Sequence, residues 1–263
     1  MKICRFIVCL AFAVCVCFSC GCQQRQGDVI TQASTIDALL AGSYGGFMTL
    51  DELEGYGDTG IGTFDSLDGE MAMIDGVIYQ VRYDGSISRP QDSVTTPFAS
   101  VLWFESEDTL ELSGCDYDSL QEQIAGLIGS DNVPAAIVIE GRFSYVHTRS
   151  VPPQKKPYPP LVEVAKNQPE FTAENIKGRL VGFCLQQFVG KINVPGFHLH
   201  FISEDKSFGG HLLDIKVENA TAEIDRCSGL NVRLPINDQD FADINLEKDR
   251  SGELEKSEKK RGS

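Results

Sequence analysis

From about residue 34 onward, apolar and polar positions alternate with the two-residue rhythm of strands, broken by short helical stretches. Ser34-x-x-Asp37 opens the first of these, with Ile36, Leu39 and Leu40 apolar and Gly42 closing it. Met71 to Ile74 reads as a short strand, Asp75-Gly76 as a hairpin turn, and Val77 to Tyr83 as the returning strand. Ser100 to Phe104 is a further strand, and Phe98, Trp103 and Phe104 are expected in the core. Over residues 116–129 the period changes: Leu120, Ile124, Leu127 and Ile128 stand at i, i+4, i+7 and i+8, with Ser119-x-x-Glu122 as a capping box. Ala135 to His147 is a long strand. Beyond it come a short helix (Leu161 to Lys166) and strands near 179–186, 197–202, 211–218 and 221–225.

Between these halves lies Pro152-Pro153-Gln154-Lys155-Lys156-Pro157-Tyr158-Pro159-Pro160, a stiff, extended segment that cannot join a central sheet. It divides the chain into an N-terminal part, 34–151, a connection, 152–160, and a C-terminal part, 161–246. The expected class is α+β: two α/β domains built on mixed, largely antiparallel β-sheets. Residues 247–263 are dominated by charged side chains and read as a solvated, frayed tail.

The N-terminus changes the picture of where the chain works. Lys2 and Arg5 precede an apolar run from Phe6 to Phe18, then Ser19-Cys20-Gly21-Cys22. A basic start, a short apolar run and small residues describe an export signal over 1–22 rather than a spanning helix, which needs about 20 apolar residues. Cys20 or Cys22 also resembles the lipidated residue of a bacterial lipoprotein, so the product is either secreted or lipid-anchored at the cell envelope. Residues 23–33 are polar and read as a tether. Only Cys115, Cys184 and Cys227 follow the leader; they form no metal knuckle, and leave room for one disulfide at most. The net charge of −15 argues against a nucleic-acid partner.

The candidate chemistry lies in the histidines. Three of the four fall within fourteen residues, in Pro195-Gly196-Phe197-His198-Leu199-His200-Phe201-Ile202 and Gly209-Gly210-His211. On a strand, His198 and His200 project from one face while Phe197, Leu199 and Phe201 take the other. Residues 203–210 are rich in turn formers and can fold His211 back beside them. Three neutral imidazoles make a divalent-metal site with an open position, suited to Zn2+, with nickel, copper or iron as other ions such ligands accept. His198-x-His200-x-x-x-Glu204 also fits the first motif of cupin metalloproteins, in which Glu204 would be a fourth ligand beside His211. A noncatalytic, exported zinc-binding module is a third reading.

These histidines do not stand alone. Gly196 to Ile202, Gly209-Gly210-His211 and Asp214, taken with Tyr56-Gly57-Asp58-Thr59-Gly60-Ile61-Gly62-Thr63-Phe64 and Leu67-Asp68-Gly69-Glu70, resemble bacterial α-acetolactate decarboxylases. Thr95-Thr96-Pro97-Phe98-Ala99, Thr148-Arg149-Ser150-Val151-Pro152, Lys156-Pro157-Tyr158-Pro159-Pro160 and Arg233-Leu234-Pro235 follow in the same order, so the resemblance spans about Ile36 to Glu258. It implies a homodimer of two-domain subunits that bind zinc through His198, His200 and His211. The implied reaction takes (S)-2-acetolactate to (R)-acetoin and CO2, the metal chelating the keto and hydroxyl oxygens and stabilising an enediolate. The resemblance further implies that Glu70 and Arg149 act at the active site, that Arg149 and Thr63 line the substrate pocket, and that a tail glutamate, Glu258 or else Glu255, reaches the metal. Glu70 and Arg149 are the candidates for protonating the enediolate. The fourth histidine, His147, is expected to be structural or to support the site from behind. No organic cofactor is called for.

Overall fold

The structure is a computed structural model and describes residues 28–258; the export-signal and lipidation expectations for 1–22 lie outside the described residues. In its first half the chain runs through β1 (Val29–Ala33), α1 (Ile36–Leu40), β2 (Met48–Thr49), α2 (Leu50–Glu54), β3 (Thr59–Thr63), β4 (Glu70–Ile74), β5 (Val77–Val81), β6 (Ile87–Ser88), β7 (Thr95–Thr96) and β8 (Ala99–Leu102). Next come β9 (Asp108–Asp116), α3 (Tyr117–Ile128), β10 (Ala135–Arg149), α4 (Leu161–Val164), β11 (Glu170–Leu185) and β12 (Gly196–Ser203). Last are β13 (Gly209–Arg226), β14 (Gly229–Arg233), α5 (Gln239–Ala242) and α6 (Ser251–Glu258). Among the described residues no helix is long and apolar enough to cross a membrane.

Two main sheets face each other. The first has the order β14-β1-β8-β3-β4-β5-β6 and is antiparallel except for the β1–β14 pair. In the second, β10, β11, β12 and β13 are antiparallel neighbours and β13 returns to pair with β10, closing a four-stranded ring to which β9 is added. Closure leaves these four strands without a free edge over the paired stretch. The architecture is thus α+β with largely antiparallel sheets, as the strand rhythm indicated.

Side-chain parity decides what lies between the sheets. Met71 and Met73 of β4 pack outward against α2 with Leu50, Leu53 and Phe64. Ala72 and Ile74 face the other way, where they meet Val181, Phe183 and Ile202 of the second sheet. The opposite face of the second sheet buries Leu199 and Phe201 in a core closed by Leu120, Ile124 and Ile128 of α3. Burying each of those three helix side chains favours the fold by roughly 1.5–3 kcal/mol. The α3 cap differs from the expected box: Asp116 Oδ1 accepts from the Ser119 amide at 3.0 Å, so Ser119 lies inside the helix, and Gly129, at φ 79°, ends it. Likewise α1 is capped by Thr35 rather than Ser34, its Oγ1 accepting from Ala38 N at 3.2 Å.

Several expectations about organisation are corrected. The tether over 23–33 includes β1, a buried strand. Its polar look comes from Thr31 and Gln32, and Gln32 is satisfied inside the sheet, donating to Ile192 O at 2.8 Å and accepting from Ser100 and Asn193. Residues 34–151 and 161–246 do not each hold one sheet, because β9 and β10 belong to the second sheet and β14 to the first. The proline-rich 152–160 segment packs along the first unit, with Pro159 O accepting from Tyr44 Oη at 2.8 Å and Gln154 N donating to Ser66 O. Finally, residues 247–258 are not a frayed tail: α6 is docked on the body, with Leu254 against the cluster formed by Ile36, Leu39, Leu161 and Val164. The strands expected at 211–218 and 221–225 are one continuous β13, and β11 begins at Glu170 rather than near 179. Cys115, Cys184 and Cys227 are all buried and free.

Candidate metal centre and active site

The three histidines meet through strand register. His200 of β12 lies directly opposite His211 of β13, and His211 is in turn opposite Arg149 at the end of β10. Directly opposed side chains share a face, so three neighbouring strands present His200, His211 and Arg149 side by side, with His198 two positions along on the same side. That face is the one turned toward the first sheet. The ring centroids stand 4.9–5.4 Å apart, and one ligating nitrogen from each ring lies within 4.8 Å of the others.

The first sheet supplies the opposite wall. Glu70 starts β4 on the same face as Ala72 and Ile74, and its cross-strand partner on β3 is Thr63. The Thr63 hydroxyl donates to Gly69 O at 2.7 Å, tying down the turn that delivers Glu70. Two glycines let the backbones approach this closely. A Cβ on Gly182, at φ +154°, would meet His198 O, and one on Gly210, at φ +130°, would lie 2.4 Å from Arg149 O. The cleft, about 390 Å³ with part of that open to solvent, is lined by Thr63, Glu70, Arg149, the three histidines and Glu258, with Ile36, Leu39 and Phe98 among its apolar walls.

Charge and burial set the protonation states. Glu70 is 7 % exposed, and burial pushes its carboxyl up to about 7 against the pull of Arg149, with Glu258 adding to the rise. Burial pulls His198 down to about 3, helped by the nearby Arg149, and takes His200 and His211 well below their usual range. All three imidazoles are therefore neutral at ordinary pH, with lone pairs free to ligate. Burial also raises Glu258, opposed by Arg149. The Arg149 guanidinium donates to Gln168 Oε1 at 2.7 Å and to Glu258 Oε2 at 3.3 Å, while its Nε has no partner.

The donor set fits a divalent ion. His200 donates from Nδ1 to Met71 O at 2.6 Å, which leaves Nε2 bare, and that atom is buried with no partner. A backbone carbonyl on the far nitrogen is how ligating imidazoles are commonly oriented. His198 Nδ1 is likewise orphaned. Two carboxylates stand close by: Glu70 Oε2 is 3.6 Å from His200 Nε2, and Glu258 Oε2 is 3.8 Å from Nε2 of both His198 and His211. Buried imidazoles without hydrogen-bond partners are costly unless something else takes their lone pairs.

Thr63, Glu70, Arg149, His198, His200, His211 and Glu258 thus line one cleft. Glu255 is exposed, so of the two tail candidates it is Glu258 that enters. Glu204 sits exposed in the turn beyond β12, its amide donating to Lys177 O, and the four-ligand cupin set is not assembled. Its spacing fits the motif, but β12 ends at Ser203 before the side chain can turn inward. His147 lies off the cleft, paired at 2.8 Å with Glu170 of β11. Phe98 is both core and cavity wall, a double role that its aromatic character did not reveal. Gln168, Met71 and the apolar wall residues Ile36 and Leu39 carried no sequence signal for the site, since each acts there by position rather than by type.

The sequence model of the alpha-acetolactate decarboxylase family matches residues 30–248. The chain belongs to the alpha-acetolactate decarboxylase family. It is 43 % identical to the alpha-acetolactate decarboxylase of Methanosarcina mazei, over 88 % of this chain and 81 % of that protein. It is 40 % identical to that of Brevibacillus brevis over 89 % and 82 %. The crystal structure of alpha-acetolactate decarboxylase from Bacillus subtilis strain 168 superposes with a TM-score of 0.86 at 38 % identity, covering 88 % of this chain and all of that one. Members of the family are carboxy-lyases acting on a small molecule, and the chain is an enzyme of that kind. The buried histidine group is where such an enzyme could hold a metal.

Proposed function

We propose that the chain is a zinc-dependent decarboxylase that converts (S)-2-acetolactate to (R)-acetoin and CO2. The observation that carries this reading is the convergence in one cleft of three neutral, buried imidazoles, with His198 Nδ1 and His200 Nε2 unpaired, two carboxylates and a buried guanidinium. His198, His200 and His211 would hold a divalent ion, which would supply Lewis-acid stabilisation of the negative charge that develops on the substrate, worth several kcal/mol.

The remaining roles belong to the chain. Arg149 is fixed by Gln168 and Glu258 and offers a permanent positive charge against which a planar carboxylate is oriented. As the C–C bond to that carboxylate breaks, CO2 leaves and the electron pair passes into the adjacent ketone, giving an enediolate. One proton must then reach one face of the former α carbon. Glu70, a carboxyl raised to about 7 and able to hold a proton near neutral pH, is the group we assign to deliver it. Its fixed place on β4, opposite Thr63, makes delivery one-sided, and solvent restores its proton afterwards. Export through 1–22, with secretion or lipid anchoring, and assembly as a homodimer complete the reading.

The test uses the purified chain, stripped with a chelator and reloaded with zinc, on racemic 2-acetolactate. The expected result is no turnover when stripped, recovery with about one equivalent of zinc, and acetoin enriched in the R enantiomer. Full zinc occupancy without acetoin would overturn the assignment. Undiminished turnover in the stripped protein would overturn the metal's part in it.

A further inference from the structure

The helix that brings Glu258 to the site has little reason to be there on its own account. α6 reads Ser-Gly-Glu-Leu-Glu-Lys-Ser-Glu, eight residues with a glycine in the first turn and a single large apolar side chain. Isolated helices of this length are not stable in water, so its docking must come from contacts. Leu254 and Ser257 face inward, and Leu254 is only partly buried. A buried ion pair lies just before the helix. Arg250 is 7 % exposed and donates from Nη1 to Asp37 Oδ2 at 2.8 Å and from Nη2 to Asn245 O at 3.0 Å. Its own carbonyl accepts from the amides of Glu253 and Leu254, closing the first turn.

Asp37 is as well placed as its partner. It sits on α1 between Ile36 and Leu39, two walls of the cleft, with its side chain 4 % exposed. Lys191 reinforces the same stretch by donating to the carbonyls of Leu246 and Glu247. A buried ion pair costs much of its own attraction in lost hydration, but removing one partner strands the other charge. Such a pair holds a segment in one place more than it stabilises the fold.

We infer that Arg250 and Asp37 are a positioning pair that clamps α6 onto the wall of the cleft and thereby places Glu258 beside His198, His211 and Arg149. The inference rests on the active-site reading above for the consequence of losing Glu258, but the clamp itself is read independently of turnover. Neither residue lines the cleft.

The experiment compares Arg250→Gln, Arg250→Lys and Asp37→Asn with the parent, each as the zinc-loaded full chain. Two readouts are taken: the rate of tryptic cleavage after Lys256, followed by mass spectrometry, and kcat and KM for acetolactate. Cleavage should be at least about tenfold faster in Arg250→Gln and Asp37→Asn, with Arg250→Lys falling between. Their kcat should drop toward that of Glu258→Gln, and Arg250→Gln combined with Glu258→Gln should be no slower than Glu258→Gln alone. Cleavage within about twofold of the parent in both clamp variants, or losses that multiply in the double variant, would overturn the inference. Should Arg250→Gln unfold, Asp37→Asn, isosteric at its site, carries the test. If Glu258→Gln keeps parental kcat, the role of Glu258 in turnover fails while the cleavage rates still decide the clamp.

Discussion

Replacing Asp225 by asparagine should stabilise the protein, and by an amount that depends on pH. Asp225 is at the end of β13 with no exposed surface. Its Oδ2 accepts from the Glu105 amide at 2.9 Å, but Oδ1 is buried without a partner. Carboxylate oxygens of Asp28 and Glu107 lie in the same 4.8 Å cluster. Burial pushes the carboxyl up to about 6 against the Glu105 bond, and the like charges of Asp28, Glu107 and Glu105 push the same way. The folded state therefore prefers the neutral acid. Stability is whole below about pH 4 and is lost as pH rises toward 6, where the native group is finally forced to ionise. From an ordinary value of 3.8, the rise corresponds to about 3 kcal/mol, of which about 2 kcal/mol is spent between about pH 4.5 and pH 8. The amide cannot ionise, and any change in its bond to Glu105 is the same at both pH values. Urea titrations of parent and variant, read by Trp103 fluorescence, should show the asparagine protein gaining about 2 kcal/mol on the parent from the lower pH to the higher. A stability gap that stays constant within about 0.5 kcal/mol would refute the argument and mean that something neutralises the carboxylate.

Two further outcomes follow from the site. Gly182→Ala puts a Cβ against His198 O and forces β12 away from β11, so zinc content and acetoin production should fall together by about tenfold or more, measured by metal analysis and turnover. Glu204→Gln should keep metal content and kcat within about twofold of the parent, since its side chain is exposed outside the cleft; loss of zinc in that variant would reinstate a four-ligand site.

What could be read in advance follows from how local each signal is. The His198-x-His200 parity and the turn before His211 lie within one hairpin, and the structure pairs His200 with His211 as strand rhythm requires. Leu120, Ile124 and Ile128 announced α3 for the same reason. Glu70 and Arg149, by contrast, are ordinary charged residues taken singly, and only pairing between distant strands sets them beside the histidines. The resemblance to a family, rather than any local pattern, pointed to them. The tail misled because charge density normally means solvent, whereas Arg250 and Glu258 are each buried against an opposite charge. β1 was missed because the amide of Gln32 finds its partners on β8 and in the loop before β12.

The parallel pairing of β1 with β14 joins Val29 to Gly229, two hundred positions later. A nascent chain can lay β1 against β8 early, but its other flank stays open until nearly all of the polypeptide has left the ribosome. Assembly is therefore sealed from the last-made end, and a product terminated shortly before Gly229 would carry a bare, β-branched strand edge, the kind of surface on which chains stick to one another.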